Sequence, residues 1–463
     1  MKKLNLNENF ISRIWVNDEY YSGLKTTGGK DVKIINYGVP NFDSGADFAE
    51  ATLQIDGVLY SGDVEIHRSY KDWDVHKHRE NPRYNKVILQ VVFWPDDEAV
   101  TSAHSDRVIP TVVLSNFLTR SIHEIWKEII NNPSPKFRLP CFGKNSAASA
   151  EFKKEWINDT GMLRLNYRAG RLKSRIESLE NDSHSASKKE VWEKVLFEFV
   201  LEALGFSKNK PQFLTLAESI DINKLKPYSS VSSHLEAVLF GTAGFLSGEC
   251  NDDYCINLTA LWKSLLPKLK FETMHRSEWN FFRLRPMNFP TRRIAYASAF
   301  LREIISEDLL KRIVFCFKNS GNIPKDLNDI FLSIAPSPYW NDHYDFGKAG
   351  KTKQSAIGKE RIDSVMVNVI IPLMYLYAKV FGDEDLFIKV KKLYRKGKDN
   401  STNSVIKVMK SQLEFSPESI CESQGLIHLH NFFCVHGNCG ECKIGEKVFE
   451  KFAVSEALRI IIY

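Results

Sequence analysis

The periodicity of apolar residues changes once along this chain, and that change limits what it can fold into. In roughly the first hundred residues, DVKIINYG, ADFAEATLQID and VLYSGDVEIH read as β-type runs, and a fourth, KVILQVVFW, is almost wholly apolar. From about residue 112 the spacing becomes helical, in VLSNFLTRSIHEIWKEII, TGMLRLNYRAGRLKSRIESL, SKKEVWEKVLFEFVLEALG and SSHLEAVLFGTAGFL. The first three runs fit strands, the continuous apolar run a strand buried on both faces, and the 3.6-residue recurrence helices. An α/β N-terminal domain followed by a large, mainly α-helical region is therefore expected.

Finer signals give the element order. In NENFISRIW a helix capped by Asn7 places Ile11, Ile14 and Trp15 on one face. Asp56-Gly57 is the two-residue signal of a tight hairpin between the second and third strands. The polar stretch Arg68 to Asn85 is long enough for a crossover helix, which a parallel pairing of the last two strands requires. The expected core is thus αβββαβ over residues 1–110, with a helical region over 111–415 and a cysteine-rich end over 416–463.

Composition narrows the function classes. A chain of 463 residues that is 43% hydrophobic has ample material for buried cores, and a formal charge of +6 permits a polyanionic partner without demanding one. Eight unevenly spaced cysteines do not make a disulfide-stapled secreted module, and MKKLNLNENF has no apolar signal stretch, so a cytoplasmic protein is expected. The longest apolar stretch, Val365 to Phe381, is interrupted by Asn368, Pro372, Tyr375, Tyr377 and Lys379. It reads as a buried core helix, with no membrane partner. PSPYWNDHYDFGKAGKTKQSAIGKE shows no periodicity and is expected to be a long loop.

Four groups of residues are candidates for chemistry. Asp47 lies nine residues before Asp56 and Glu65 eight after Gly57, so the hairpin sets the two acids facing each other, with His67 on the same strand face as Glu65. Paired carboxylates suit Mg²⁺ or Mn²⁺, and a neutral imidazole beside them accepts a proton near pH 7. The alternative is a solvated hairpin whose acids face water. In DWDVHKH a helix would put Asp72 and His76 on one face and Asp74 and His78 on the next, where His76 and His78, with Tyr84, would support the acids by holding a phosphate or second metal. Otherwise this is an exposed polar segment anchored by Trp73.

At the C-terminus, FFCVHGNCGECKIG spaces Cys434, Cys439 and Cys442 as C-x4-C-x2-C. Three thiolates need a fourth ligand: His436 would complete a Cys3His zinc site, and Cys141 a four-cysteine site for zinc or an iron-sulfur cluster. Cys250, Cys255 and Cys316 are expected to be free buried thiols. Arg283, Arg285, Arg292 and Arg293 in FFRLRPMNFPTRRIA would suit a nucleic-acid backbone, or would line a helix-to-helix junction.

The blocks NFDSGADF, GDVEIH, DWDVHKH, YNKVIL, RLRPMNFPTRR, PYWNDHYDFG, SQGLIHLHNFFC and CGECKIG together resemble the bacterial family called domain of unknown function 2851, over nearly the whole chain. The family pattern N-x-D-x-G-P-D-F is met by Asn41, Asp43, Gly45, Asp47 and Phe48, with Ala46 for proline, and Gln90 stands where the family usually has a strand histidine. The αβββαβ order and the Asp47, Glu65, His67 spacing also resemble, remotely, the PD-(D/E)XK nucleases. That resemblance implies phosphodiester hydrolysis, with Glu8 or Asp43 supporting the metal shell and His67 in place of the usual lysine. A non-catalytic nucleic-acid-binding or scaffold protein, and a hydrolase of another phosphate ester, are the rival expectations.

Overall fold

The computed structural model describes residues 6–451 apart from 42–44, 96–99, 132–138, 140, 143, 183–186, 207, 249–251, 282–283, 351–356, 400–402 and 436–437. Asp43, Cys250, Arg283 and His436 therefore lie outside the described residues. The chain divides into two compact units, one formed by residues 1–156, 404–416 and 426–463, the other by 157–403 and 417–425.

The first unit is built on a mixed sheet. Helix α1 (Glu8–Trp15) starts where the Asn7 carboxamide accepts the Phe10 N–H at 2.8 Å. The strands are β1 (Val32–Asn36), the short β2 (Val39–Pro40), β3 (Phe48–Ile55), β4 (Val58–His67), β5 (Val87–Val92) and β6 (Thr111–Val113), in the order β1-β3-β4-β5-β6 with β2 also on β3. Pairings from β1 to β4 are antiparallel, and β4-β5 and β5-β6 are parallel. Asp56 and Gly57 both take positive φ, 52° and 83°, as a tight two-residue hairpin requires. The buried face of α1 joins Leu53, Val64, Ile66, Leu89 and Val91 in one apolar core, and every residue of β5 is buried. The expected boundary at residue 110 falls between β5 and β6 of this one sheet.

The crossover differs from the expected helix. Helix α2 (Lys71–Val75) makes little more than one turn, and two 3₁₀ turns, His78–Glu80 and Pro82–Lys86, complete the connection to β5. The Asp72 carboxylate accepts the Arg68 and Ser69 N–H groups, both at 3.2 Å, which fixes the start of α2. Lys77 then adopts a left-handed φ of 57°, which ends helical propagation.

The second unit is helical. Lys188–Leu204, Ser232–Thr242 and Pro290–Ser306 pack around Leu196, Phe240, Tyr296 and Phe300. Lys359–Phe381 is long and apolar enough to cross a membrane, yet 67% of its most apolar stretch is buried inside the unit. A π turn, Met366–Ile370, precedes Pro372 and accommodates the proline's missing N–H within the helix. The irregular stretch after Ala335 forms a 3₁₀ turn, Pro338–Asn341, and a small hairpin, His343–Asp345 with Lys348–Ala349. Cys316 is a free buried thiol as expected, but Cys255 is disulfide-bonded rather than free.

Two glycines let helices of this unit meet backbone to backbone. A Cβ on Gly425, in Ile420–Leu429, would collide with the Ile157 carbonyl, and one on Gly161, in Ala150–Asp182, with the Cys421 carbonyl. Gly170, on the same long helix as Gly161, has open space around it. Gly425→Ala is expected to destabilise the protein by about 3 kcal/mol through overpacking, whereas Gly170→Ala should stabilise it by about 0.5–1 kcal/mol. Urea midpoints compare the two, and equal shifts would contradict this packing.

Candidate metal centres

An irregularity in the hairpin sets the acids opposite each other. Without it, the turn at Asp56-Gly57 would pair Asp47 with Ile66. The register shifts by one residue between Phe48 and Ala51, where Glu50 takes a φ of 58°, so that Phe48 pairs with Val64 and Asp47 comes level with Glu65. The two acids are tied reciprocally: Asp47 N–H donates to Glu65 Oε2 at 2.8 Å, and Ile66 N–H donates to Asp47 Oδ2 at 3.0 Å. Burial, then the Glu65 charge, pushes the Asp47 carboxyl up to about 8.

Three imidazoles gather on this carboxylate pair. His67 is carried by β4 on the face shared with Glu65, while the broken crossover delivers His76 from the end of α2 and His78 from the first 3₁₀ turn. Their ring centroids are 5.2–5.3 Å apart, and one ring nitrogen from each lies within 4.8 Å of the others. Glu65 Oε1 is 3.0 Å from His78 Nε2 and 3.5 Å from His67 Nε2. Both Nε2 atoms are buried without a hydrogen bond, as is Glu8 Oε1 at the start of α1. Tyr84 stacks on His78 at 3.8 Å and reaches the Gly45 carbonyl at 3.3 Å. His76 is exposed, so the cluster is open to solvent on that side.

The electrostatics describe a site short of positive charge. Burial holds His67 well below the ordinary histidine range and His78 down to about 4, while it raises the Glu8 carboxyl. Buried nitrogen lone pairs beside carboxyls that resist ionisation are what a divalent cation would satisfy, and the donor set therefore fits one. His67 Nδ1 lies 3.0 Å from Gln90 Nε2, and Gln90 Oε1 faces the hydroxyls of Thr101 and Thr111. Turning the amide over would let Gln90 accept the Nδ1–H and leave His67 Nε2 free to ligate, because the threonine hydroxyls accept as readily as they donate.

The structure thus brings Glu8, Asp47, Glu65, His67, His76, His78 and Tyr84 together. His67, expected to accept a proton from the attacking water, is instead buried and placed as a ligand. Gln90, Thr101 and Thr111 went unread as a positioning shell. The signal for them was weak: a polar residue inside an otherwise apolar strand.

A pH dependence follows. Asp47 titrates near 3.8 when unfolded and near 8 when folded, so between those values the folded state holds the extra proton and stability falls as pH rises. His78, lowered from 6.5 to about 4, acts oppositely, but only below 6.5. Chelated protein should therefore lose thermal stability between pH 6.5 and 8.5, and an added divalent transition metal should abolish that loss. Parallel melting curves with and without metal would count against the site.

The thiols form a second group in the same unit. Cys141 sits in a turn closed by Lys144 N–H to its carbonyl, Cys434 ends the π turn His430–Cys434, and Cys442 N–H donates to the Cys439 carbonyl just before the helix Lys443–Lys451. All four are free thiols. Burial raises each, Cys439 to about 11 and Cys141 to about 12, and next comes mutual influence: Cys434 feels Cys141, Cys442 and Cys439, and Cys141 feels Cys439 and Cys442. Cys442 is eased by the Ile444 and Gly445 N–H groups. Among the described residues only the histidine trio has its donors within 4.8 Å of one another, so the thiols are neighbours more widely spread than the imidazoles.

Of the described arginines in this stretch, one faces solvent and two turn inward. Arg285 is exposed, but Arg292 and Arg293 are only 2% and 6% exposed in the helix Pro290–Ser306, because their aliphatic stems follow the helix face that packs inward.

A family model described as a protein of unknown function, DUF2851, matches residues 8–403. The chain belongs to this family. No curated protein and no solved structure matches it. The DUF2851 span takes in the whole carboxylate-histidine cluster and Cys141, and it ends before Cys434, Cys439 and Cys442.

Proposed function

We propose that the N-terminal unit is a metal-dependent hydrolase of phosphodiester bonds, a diverged relative of the PD-(D/E)XK nucleases. The observation that carries this reading is the Asp47-Glu65 pair with three imidazoles around it, two of them turning buried Nε2 atoms, neither of which makes a hydrogen bond, toward Glu65. The topology supports it: an opening helix, an antiparallel hairpin carrying both acids, a crossover and a buried parallel strand. His67, His78 and Glu65 would hold the ion, with Asp47 and His76 completing the donor set. So nitrogen-rich a set favours Mn²⁺, Zn²⁺ or Fe²⁺ over Mg²⁺. Such an ion, when bound, polarises a phosphoryl oxygen and acidifies water.

The chain's own residues divide the remaining work. Exposed His76, where it is not itself a ligand, would be the group to take a proton from the attacking water and pass it to solvent. Gln90, held by Thr101 and Thr111, fixes the ring of His67. Burial of Arg292 and Arg293 removes the expected grip on a long polyanion, so short single strands are the first substrates to try. The test is cleavage of single- and double-stranded DNA and RNA with Mn²⁺, Zn²⁺ and Mg²⁺ in turn, comparing wild type with Asp47→Asn and Glu65→Gln. Turnover unchanged in those variants would refute the assignment.

A cysteine centre in the same unit, with Cys141, Cys434, Cys439 and Cys442 as ligands to zinc or an iron-sulfur cluster, would act as a staple joining residues distant in sequence.

A further inference from the structure

Several buried or half-buried arginines in the helical unit meet an acid or an amide. Arg175 makes two bonds to Glu198, at 2.7 and 2.8 Å, Arg171 bonds Glu202 at 2.9 Å, and Arg164 donates to the Gln424 carboxamide at 2.6 Å. Arg293 and Arg361, like Arg168, keep buried guanidinium nitrogens without a hydrogen bond. Arg293 spends only Nη2, on Asn288 at 2.7 Å, while its Nε and Nη1 are buried without a hydrogen bond. Arg361 reaches only the Ala203 carbonyl, at 3.4 Å, and its Nε is likewise buried and unbonded.

Both guanidiniums lie over the ring of Phe206, 4.5 and 2.9 Å from its centroid, so they are no further apart than the sum of those distances. The acid acting on Arg361 is Glu360, which is exposed and hence screened. Burial depresses each group first, then Arg292 acts on Arg293 and Arg293 on Arg361, bringing Arg293 to about 10 and Arg361 to about 8. Two like charges held close together, with no buried counter-ion among the described residues, are costly to keep. The bond to Asn288 also turns the Arg293 guanidinium back past the start of the helix Pro290–Ser306, where the helix dipole adds further positive potential.

We propose that Arg293, Arg361 and the start of this helix form an oxyanion site for the phosphate group of a small ligand. A phosphate dianion matches two guanidiniums in charge and accepts from all three unused N–H groups, whereas a carboxylate neutralises only one. Asn288, Phe206 and Arg361 are half-buried, so the site is reached from solvent.

Inorganic phosphate tests the proposal on the full chain, with chelator present to silence the N-terminal cluster and chloride at equal ionic strength as control. Phosphate should raise the wild-type melting temperature and give a binding isotherm. Arg361→Gln should weaken that binding at least about tenfold, and its melting temperature in chloride should equal or exceed wild type once the like-charge repulsion is gone. Equal melting in phosphate and chloride, or wild-type phosphate binding by Arg361→Gln, would overturn the site. If that variant does not fold, Arg361→Lys keeps the charge and loses the fork: weakened binding supports the proposal and undiminished binding overturns it.

Discussion

Glu65→Gln is expected to abolish metal uptake by the N-terminal unit and to lower phosphodiester cleavage at least a hundredfold, with the unit still folded. The amide has nearly the same shape and still accepts the Asp47 N–H, so the register that the bulge creates should survive. What disappears is the negative charge beside His67 Nε2 and His78 Nε2, and with it the one carboxylate among the described residues in ion-pair reach of both rings. A cation held mainly by imidazoles, with Asp47 as its remaining carboxylate, loses much of its charge compensation, and a loss of this size is typical where a charged group acts directly on the reacting centre. The same substitution removes the second largest cause of the raised Asp47 carboxyl. Metal-free Glu65→Gln should therefore be more stable than metal-free wild type above pH 7, by about 1 kcal/mol. Elemental analysis, single-turnover cleavage and melting at pH 8 make three independent readouts. A variant that loses activity and is also less stable than wild type without metal would show that Glu65 serves structure and not a cation.

Why some of this was legible and some not can be argued residue by residue. The hairpin, the buried fourth strand and the inward face of α1 depend on neighbours a few positions away, and Asp56-Gly57 or Ile11-Ile14-Trp15 state them openly. The bulge depends on Glu50 adopting a left-handed conformation that glutamate does not advertise. Facing acids were thus anticipated from near-equal distances to the turn, while the one-residue discrepancy between nine and eight was the trace of the bulge.

The crossover was misread for a similar reason. Its composition suits a helix, but Asp72 captures two backbone N–H groups and Lys77 reverses the chain. A regular helix would have spread His76 and His78 over adjoining faces, and it is the interruption that lets both reach His67. Arg292 and Arg293 show the opposite failure: charge in a sequence announces a preference for water, and only tertiary packing decides that two guanidiniums go inside. Cys255 shows it too, since pairing is a matter of geometry that spacing does not reveal.

Cys442→Ser is expected to strip the metal from the cysteine centre and to cost roughly 4 kcal/mol, the scale on which losing a structural metal stands apart from ordinary substitutions. Four free thiols in one unit, each raised by burial and three of them by one another, are held neutral because bare thiolates there are costly. A cation that accepts thiolates offsets that cost, and its uptake releases protons. Cys442 is the sharpest probe because two backbone N–H groups, of Ile444 and Gly445, already favour its thiolate. A Cβ on Gly445 would collide with the Cys439 carbonyl, so this approach of backbone to sulfur depends on glycine. Cys141→Ser should have a comparable effect although it lies some three hundred residues away, whereas Cys316→Ser, in the other unit, should leave metal content unchanged. Elemental analysis with a visible absorption spectrum of anaerobically purified protein separates zinc, which is colourless, from an iron-sulfur cluster. Protein that carries neither, or a Cys442→Ser variant as stable as wild type, would reduce the four residues to ordinary core thiols.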